Sequence, residues 1–201
     1  MKKKIIVGID EVGRGPLAGP VSIGIVVCES DLVVSGAKDS KVMTEKARER
    51  VYEEVLLLRD QEVLKFGVFS VPAYDIDRDG IEQAIRQALC EGLESLALDP
   101  AAVELKLDGR LKAPPQFSQE SIIRGDSLVH AISLASVVAK VERDRYMVSV
   151  VHAQYPEYGF DRHKGYGTEA HITAIKRHGL TPVHRRSFLK NIVVESSHTR
   201  N

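Results

Sequence analysis

The sequence has no tryptophan and only two cysteines in 201 residues, and aromatic residues make up just 5% of it. So few cysteines exclude a small disulfide-stapled domain. Cys28 and Cys90 stand in apolar surroundings without metal-ligand spacing, and read as buried free thiols of a protein in a reducing cytoplasm. An excess of one charge is missing too. The 28 Lys+Arg balance 28 Asp+Glu, which argues against binding a polyanion through bulk charge. No window approaches the roughly 20 apolar residues that a membrane span needs. Met1-Lys2-Lys3-Lys4 and the apolar residues after it have the outline of a signal peptide, but Asp10 and Glu11 end the run too early. Internal repeats and low-complexity tracts are absent. What is left is the composition of an ordinary soluble globular protein, long enough for one sizeable core.

The charges that are present are unevenly spread. Residues 1 to 139 hold 17 Lys+Arg against 22 Asp+Glu, whereas residues 140 to 201 hold 11 against 6 and six of the seven histidines. A basic flank beside an acidic region suits a metal site next to a phosphate-rich substrate, and it equally suits a solvated surface of uneven charge.

Apolar periodicity predicts the elements. Ile5 to Ile9 reads as a buried strand running into Asp10-Glu11 and a glycine-rich turn, and Val21 to Cys28 as a second strand paired with it as a hairpin. Thr44 is placed to cap a helix whose buried stripe is Ala47, Val51, Val55 and Leu58. Val63 to Val71 favours a third strand, interrupted by Pro72. A helix follows on Ile81, Ile85, Ala88, Leu89, Leu93 and Leu96, with Gly92 costing it about 1 kcal/mol relative to Ala. Val103 to Gly109 and Ser121 to Asp126 repeat the opening pattern of a strand that ends in aspartate. Asp126 then opens a helix, as N-cap, with Leu128, Ile132, Ala135, Val138 and Ala139 on its buried face. From Tyr155 the chain becomes a loop of aromatic, glycine and basic residues. Thr168 caps a short helix that Gly179 ends, and the tail from about Glu195 is too polar to be expected to order.

Three strand-end aspartates in one sheet would meet at its carboxyl edge, where open α/β sheets place their sites. Asp10, Glu11, Asp108 and Asp126 offer hard oxygen ligands suited to Mg²⁺ or Mn²⁺, and to two ions about 3.5 to 4 Å apart of the kind used for phosphodiester displacement. Aspartates that merely cap turns satisfy the same spacing. Adjacent strand residues face opposite ways, so Asp10 and Glu11 share one site only if the strand bends at Glu11. Gly13-Arg14-Gly15 can bring backbone amides and a cation to a phosphate or sugar; a nucleotide-binding loop, a hairpin turn and a nucleic-acid contact all fit it.

The run Asp10-Glu11-Val12-Gly13-Arg14-Gly15-Pro16-Leu17-Ala18-Gly19-Pro20-Val21 resembles the opening motif of the ribonuclease HII family. The likeness continues through Asp39-Ser40-Lys41, the strand ending at Asp108, Gly125-Asp126, Ala139-Lys140 with Arg143-Asp144-Arg145, His163-Lys164-Gly165-Tyr166-Gly167-Thr168 and His184-Arg185-Arg186-Ser187-Phe188. The Gly-Arg-Gly form favours the HII type over the related HIII type. The resemblance implies an α/β, RNase H-like fold, a mixed five-stranded sheet flanked by helices with a small helical C-terminal portion. Residues 1–154 would form the catalytic domain, 155–194 the portion completing the substrate cleft, and 195–201 the tail. It implies an endonuclease, a cytoplasmic monomer, that cuts the RNA strand of RNA-DNA hybrids and nicks 5′ of single ribonucleotides in duplex DNA, leaving 3′-hydroxyl and 5′-phosphate ends.

By the same resemblance, Asp10, Glu11, Asp108 and Asp126 would bind two Mg²⁺ or Mn²⁺ ions. Gly13, Arg14 and Gly15 would sense the 2′-hydroxyl that distinguishes RNA from DNA. Tyr166 would pack on the neighbouring deoxyribose, Ser40 and Lys41 would contact phosphate, and Asp144, Lys164 and Arg185 are accessory candidates. A sliding-clamp contact is left open. The chain departs from the family pattern at Ser127-Leu128-Val129-His130, where a short Lys/Ser-containing segment is common, and at Val42, where a second lysine often stands.

Overall fold

The computed structural model describes residues 4–37, 40 and 42–190. Lys41 and the polar tail from Glu195 lie outside the described residues. The chain forms two compact units, the first of Met1–Val12, Ser22–Ser70 and Ile85–Glu142, the second of Gly13–Val21, Val71–Ala84 and Arg143–Asn201.

The sheet comprises β1 (Ile5–Val12), β2 (Val21–Glu29), β3 (Lys65–Val71), β4 (Val103–Asp108) and β5 (Ser118–Ile122), in the order β3-β2-β1-β4-β5. β1 and β2 pair antiparallel as the expected hairpin, while β4 runs parallel to both β1 and β5. The sheet is therefore mixed. Along the chain the helices are α1 (Glu45–Asp60), α2 (Ala73–Asp79), which belongs to the second unit, α3 (Ile81–Ser95), the single turn α4 (Gly125–Leu128) and α5 (His130–Tyr146). Thr44 caps α1 as expected, its Oγ1 accepting from the Ala47 amide at 3.2 Å.

Alternation along the strands assigns the two faces of the sheet. Val26 and Cys28 pack with Val51, Tyr52 and Val55 of α1 and with Ala131, Leu134, Ala135 and Val138 of α5. Gly8 pairs with Val26 and Gly24 with Asp10, so both glycines belong to this same face. Their lack of a side chain is what lets α5 sit down. A Cβ at Gly8 would fall 2.1 Å from the Ala131 carbonyl oxygen, and one at Gly24 would fall 2.3 Å from that of Ala135. Glycine inside a strand marks just such a close approach. The opposite face carries Ile25, against which Gly92 of α3 packs: a Cβ there would lie 2.6 Å from Ile25 Cδ1 and from Phe69 Cδ2. The helix accepts its interior glycine for contact.

Three expectations are corrected. β5 ends at Ile122, and Asp126 is not strand-borne. Arg124 adopts the left-handed conformation at φ 57° and turns the chain into α4, so that Asp126 lies inside the turn rather than capping it. The apolar stripe also breaks, because Val129 is extended between α4 and α5, and Leu128 is left 72% exposed. Cys28 is buried, but Cys90 is only half-buried.

The second unit has its own core of Ala18, Met147, Val151, Tyr158, Phe160, Ile175 and Leu189. Around it run a π-helical turn (Met147–His152), a 3-10 turn (Pro156–Tyr158), α6 (Phe160–His163) and α7 (Glu169–His178). Thr168 caps α7 as expected, accepting from the His171 amide at 3.3 Å, and Gly179 at φ 83° ends it. The segment from Tyr155, read as loop, thus holds two short helical pieces. α2 is likewise unforeseen, since its seven residues bury only Ala73 and Ile76 and show no periodicity.

Among the described residues no helix is long and apolar enough to cross a membrane. The seating of α5 makes a clear expectation for Gly8→Ala. Backbone-to-backbone overlap should cost about 1–3 kcal/mol or more in denaturant unfolding. Gly15→Ala, where nothing lies within 4 Å of an added Cβ, should stay within about 0.5 kcal/mol of the parent.

Candidate active site

Asp10, Asp108 and Asp126 converge. Each presents a carboxylate oxygen, and these oxygens lie within 4.8 Å of one another. The strands account for two of the three. Ile9 pairs with Leu107, so Asp10 and Asp108 follow at the same level of neighbouring parallel strands and on the same face, that of α5. The third arrives by the α4 turn, whose Asp126 amide donates to Asp108 Oδ1 at 3.3 Å. Gly125 keeps this junction tight, because a Cβ there would lie 2.6 Å from Ile132 Cδ1 and 3.4 Å from Asp108 Oδ1. Asp10 and Asp126 are buried, 2% and 5% exposed. Carboxylates this close and this buried repel one another and are costly to desolvate unless a cation joins them. An all-oxygen set fits a hard divalent ion such as Mg²⁺ or Mn²⁺.

Glu11 is not part of that cluster. β1 does not bend there: Glu11 stays paired with Ile23 and Val12 with Ser22, which keeps Glu11 on the face of Ile9. Its amide donates to Asp10 Oδ1 at 2.8 Å and helps hold that carboxylate. Ser40 is buried, with its hydroxyl 2.7 Å from that of Ser136 on α5, so a phosphate contact by that hydroxyl requires giving up this bond. Both departures from the family pattern line one pocket beside Asp126, where Val42 and Leu128 are exposed. His130 there is committed, since its Nε2 accepts from the Val34 amide at 2.7 Å.

In the second unit, two buried arginines hold the Gly13 to Pro20 loop. Arg185 donates to the carbonyls of Gly13 (2.6 Å), Arg14 (3.1 Å) and Gly19 (3.0 Å). Arg143 donates to Pro20 (2.9 Å), Ala18 (3.3 Å) and Lys164 (3.1 Å). Burial, then the nearby Arg143 charge, pushes the Arg185 pKa down to about 9, so it remains protonated at neutral pH. Arg185 is fully buried, and its guanidinium shapes the loop from beneath. The loop leaves Arg14 half-exposed and paired with Glu82. Tyr166 is 40% exposed, and the Arg143 guanidinium carbon lies 5.9 Å from its ring centroid. Lys164 donates to the Asp161 carbonyl, and Asp144 lies 4.0 Å from Arg143.

Gly13 has φ 83°, and a Cβ on it would fall 2.3 Å from Arg143 Nε. Gly13→Ala should therefore cost about 1–3 kcal/mol, read as a lowered thermal midpoint. His171 and His184 are buried in the same unit, and burial pushes each pKa down from 6.5 to about 4. Their neutral forms belong to the folded state, whereas the unfolded chain takes up protons below about 6.5. That stability is complete above pH 6.5 and is lost as pH falls toward 4. A scan of thermal midpoint over that range should fall less steeply in His184→Asn than in the parent.

In the sequence, Arg143 and His184 stand inside motifs and His171 in the basic C-terminal third, with no pattern that marks a role for any of them. Polar side chains that serve backbone carbonyls leave no periodic signal. Gly8 and Gly24 did have one, as glycines inside apolar strands.

A mixed five-stranded sheet flanked by helices, with three aspartates gathered beside the ends of its parallel strands, is the RNase H-like fold with a site suited to a divalent metal. The structure of ribonuclease H2 from Pyrococcus horikoshii OT3 shares that fold, with a TM-score of 0.76 over 97% of this chain and 100% of that one at 23% identity. The family model of ribonuclease HII matches residues 7–191. The chain is 43% identical over 187 residues to the ribonuclease HII of Ralstonia nicotianae, covering 92% of this chain and 77% of that protein. It is 40% identical over 190 residues to that of Caldicellulosiruptor bescii, covering 94% and 89%. The chain belongs to the ribonuclease HII family. It is thus a ribonuclease H, of a divalent-metal-dependent class that cleaves the RNA strand of RNA-DNA hybrids.

Proposed function

We propose that the protein nicks duplex DNA on the 5′ side of single embedded ribonucleotides as well as cutting RNA in longer hybrids, leaving 3′-hydroxyl and 5′-phosphate ends. The observation that carries this reading is the convergence of Asp10, Asp108 and Asp126 within 4.8 Å, an all-oxygen set that suits Mg²⁺ or Mn²⁺. Two such ions would supply an activated water and stabilise charge on the leaving oxygen. In the overall reaction the P–O3′ bond breaks, the water oxygen stays on phosphorus, and a proton goes to the 3′ oxygen. The three aspartates hold charge at a fixed place before substrate arrives, and the Glu11 amide and the Asp126 amide orient two of their oxygens. Glu11, which the unbent β1 holds on the face of Ile9, is assigned as a fourth donor on the resemblance alone.

The loop carries the selectivity in this proposal. With its carbonyls drawn inward by Arg185, the Gly13-Arg14-Gly15 backbone is preorganised to meet a 2′-hydroxyl, and Gly15 has open space above it. Arg14 would exchange its exposed partner Glu82 for a phosphate, a cheap exchange for a solvent-exposed pair. Tyr166 would pack on the deoxyribose next to the ribonucleotide. Lys41 is assigned a phosphate contact on resemblance alone, while Lys164 and Asp144 are supporting residues. We place the protein in the cytoplasm as a monomer.

The test is a DNA duplex with one ribonucleotide, incubated with Mg²⁺ or Mn²⁺ and then with chelator. Metal-dependent nicking 5′ of the ribonucleotide is expected; no nicking, or equal nicking of an all-DNA duplex, overturns the reading. Asp10→Asn removes an oxygen ligand with little change in volume. It should lower cleavage by more than about a hundredfold, since disturbing even an outer partner of a metal ligand costs 10–100-fold, with circular dichroism unchanged. Retained turnover would mean that the ligand set is misassigned.

A further inference from the structure

Three histidines of the second unit lie together behind Tyr166. The His163 and His171 rings stack with centroids 4.4 Å apart, and His184 Nε2 is 3.1 Å from His171 Nε2. Hydrogen-bond partners at the ends of the chain settle its direction. The Thr181 amide donates to His184 Nδ1 at 3.0 Å, so the His184 proton sits on Nε2. That proton is donated to His171 Nε2, which leaves the His171 proton on Nδ1, 2.9 Å from the Tyr166 carbonyl oxygen. Both imidazoles are neutral and each is used at both nitrogens. The order runs Thr181, His184, His171, Tyr166 without a free choice of tautomer.

The Tyr166 backbone is thus held on three sides. Its carbonyl also accepts from the Thr168 amide at 2.8 Å, and its amide donates to the His163 carbonyl at 2.9 Å. His163 is fixed in turn, its Nε2 on the Tyr158 carbonyl at 2.8 Å and its Nδ1 accepting from the Gly165 amide. The two central rings leave no slack. His171 and His184 are 0% and 2% exposed, and Phe160 packs against both, with centroids 5.2 and 5.8 Å away. So much polar capacity spent on one carbonyl is costly in a buried place unless every group is satisfied, and here each is.

We propose that His171 and His184 are positioning residues for Tyr166: the pair acts as a hydrogen-bonded strut that fixes the backbone beneath the tyrosine ring, and so sets how well the enzyme selects a deoxynucleotide next to a ribonucleotide. The proposal rests on the sugar-packing role given to Tyr166 above. Removing the strut leaves the Tyr166 carbonyl a single partner and lets the ring drift, which weakens the contact that discriminates junctions while leaving the chemistry of phosphate hydrolysis alone.

The experiment compares kcat/KM on a DNA duplex holding one ribonucleotide with kcat/KM on a long RNA-DNA hybrid. His171→Leu, which removes both hydrogen bonds, should lower the ratio of the two by roughly fivefold, the change that about 1 kcal/mol of lost hydrogen bonding produces. His171→Asn keeps a donor near the Nδ1 position and should restore most of the ratio, a rescue that a merely space-filling role would not give. If His171→Leu fails to fold by circular dichroism, His184→Asn, which removes the Nε2 donor, gives the same readout. A folded variant with an unchanged ratio overturns the strut. Tyr166→Ala is the control: an unchanged ratio there overturns the sugar-packing role itself, and the strut with it, whereas a lowered ratio for Tyr166→Ala beside unchanged histidine variants overturns the strut alone.

Discussion

The approach of α5 to the sheet at backbone distance is the constraint on which the carboxylate cluster depends. Gly8 and Gly24 face Ala131 and Ala135, and any side chain on either glycine would overlap main-chain atoms of the helix. A helix held this close has its start fixed as well. Its N-terminal neighbour α4 is then delivered against the end of β4, with Gly125 as small as the junction requires and the Asp126 amide on Asp108 Oδ1. The third carboxylate therefore reaches the cluster through packing at positions far along the chain from it. Aspartates gathered this way oppose folding by mutual repulsion, and burial of the surrounding apolar face has to offset that cost.

The second unit solves a different problem by different means. A loop rich in glycine and proline has few side chains with which to stabilise itself, and its carbonyls would be left without partners. Arg143 and Arg185 answer them with five hydrogen bonds donated by two buried guanidiniums, and a sixth from Arg143 goes to the Lys164 carbonyl. Arginine suits the task because its planar fork offers several donors in fixed geometry and keeps its charge when desolvated. A pair of neutral histidines does the same for the Tyr166 turn. In each case a polar side chain is spent inward, on backbone, so that a short segment outside it holds one shape.

Much of the sheet was legible in the sequence. Apolar runs with alternation located β1, β2 and β4, and Thr44 and Thr168 marked two helix starts through the hydrogen bonds they make. Asp10 and Asp108 were legible as a pair, since a strand that ends in aspartate twice over is a pattern. Asp126 was found for a partly mistaken reason: it stands on a turn after a left-handed Arg124, and a one-turn helix has no periodicity to read. Leu128 misled because a helical stripe cannot announce that Val129 breaks it. Asp10 and Glu11 were adjacent letters of equal standing, and the alternation of an unbroken β1 separates them.

By itself the sequence determined most of the strands, two helix starts and the kind of donor atoms available, which follow from local apolar period and residue chemistry, and its motifs carried the resemblance that implied the family and the mixed sheet. Only the tertiary structure decided which carboxylates meet, that Ser40 turns inward to Ser136, and that Arg185 and His171 serve backbone rather than solvent. The physical reason is common to all of these. Each depends on a contact between segments distant in the chain, set by how closely backbones approach, and no local period encodes that distance.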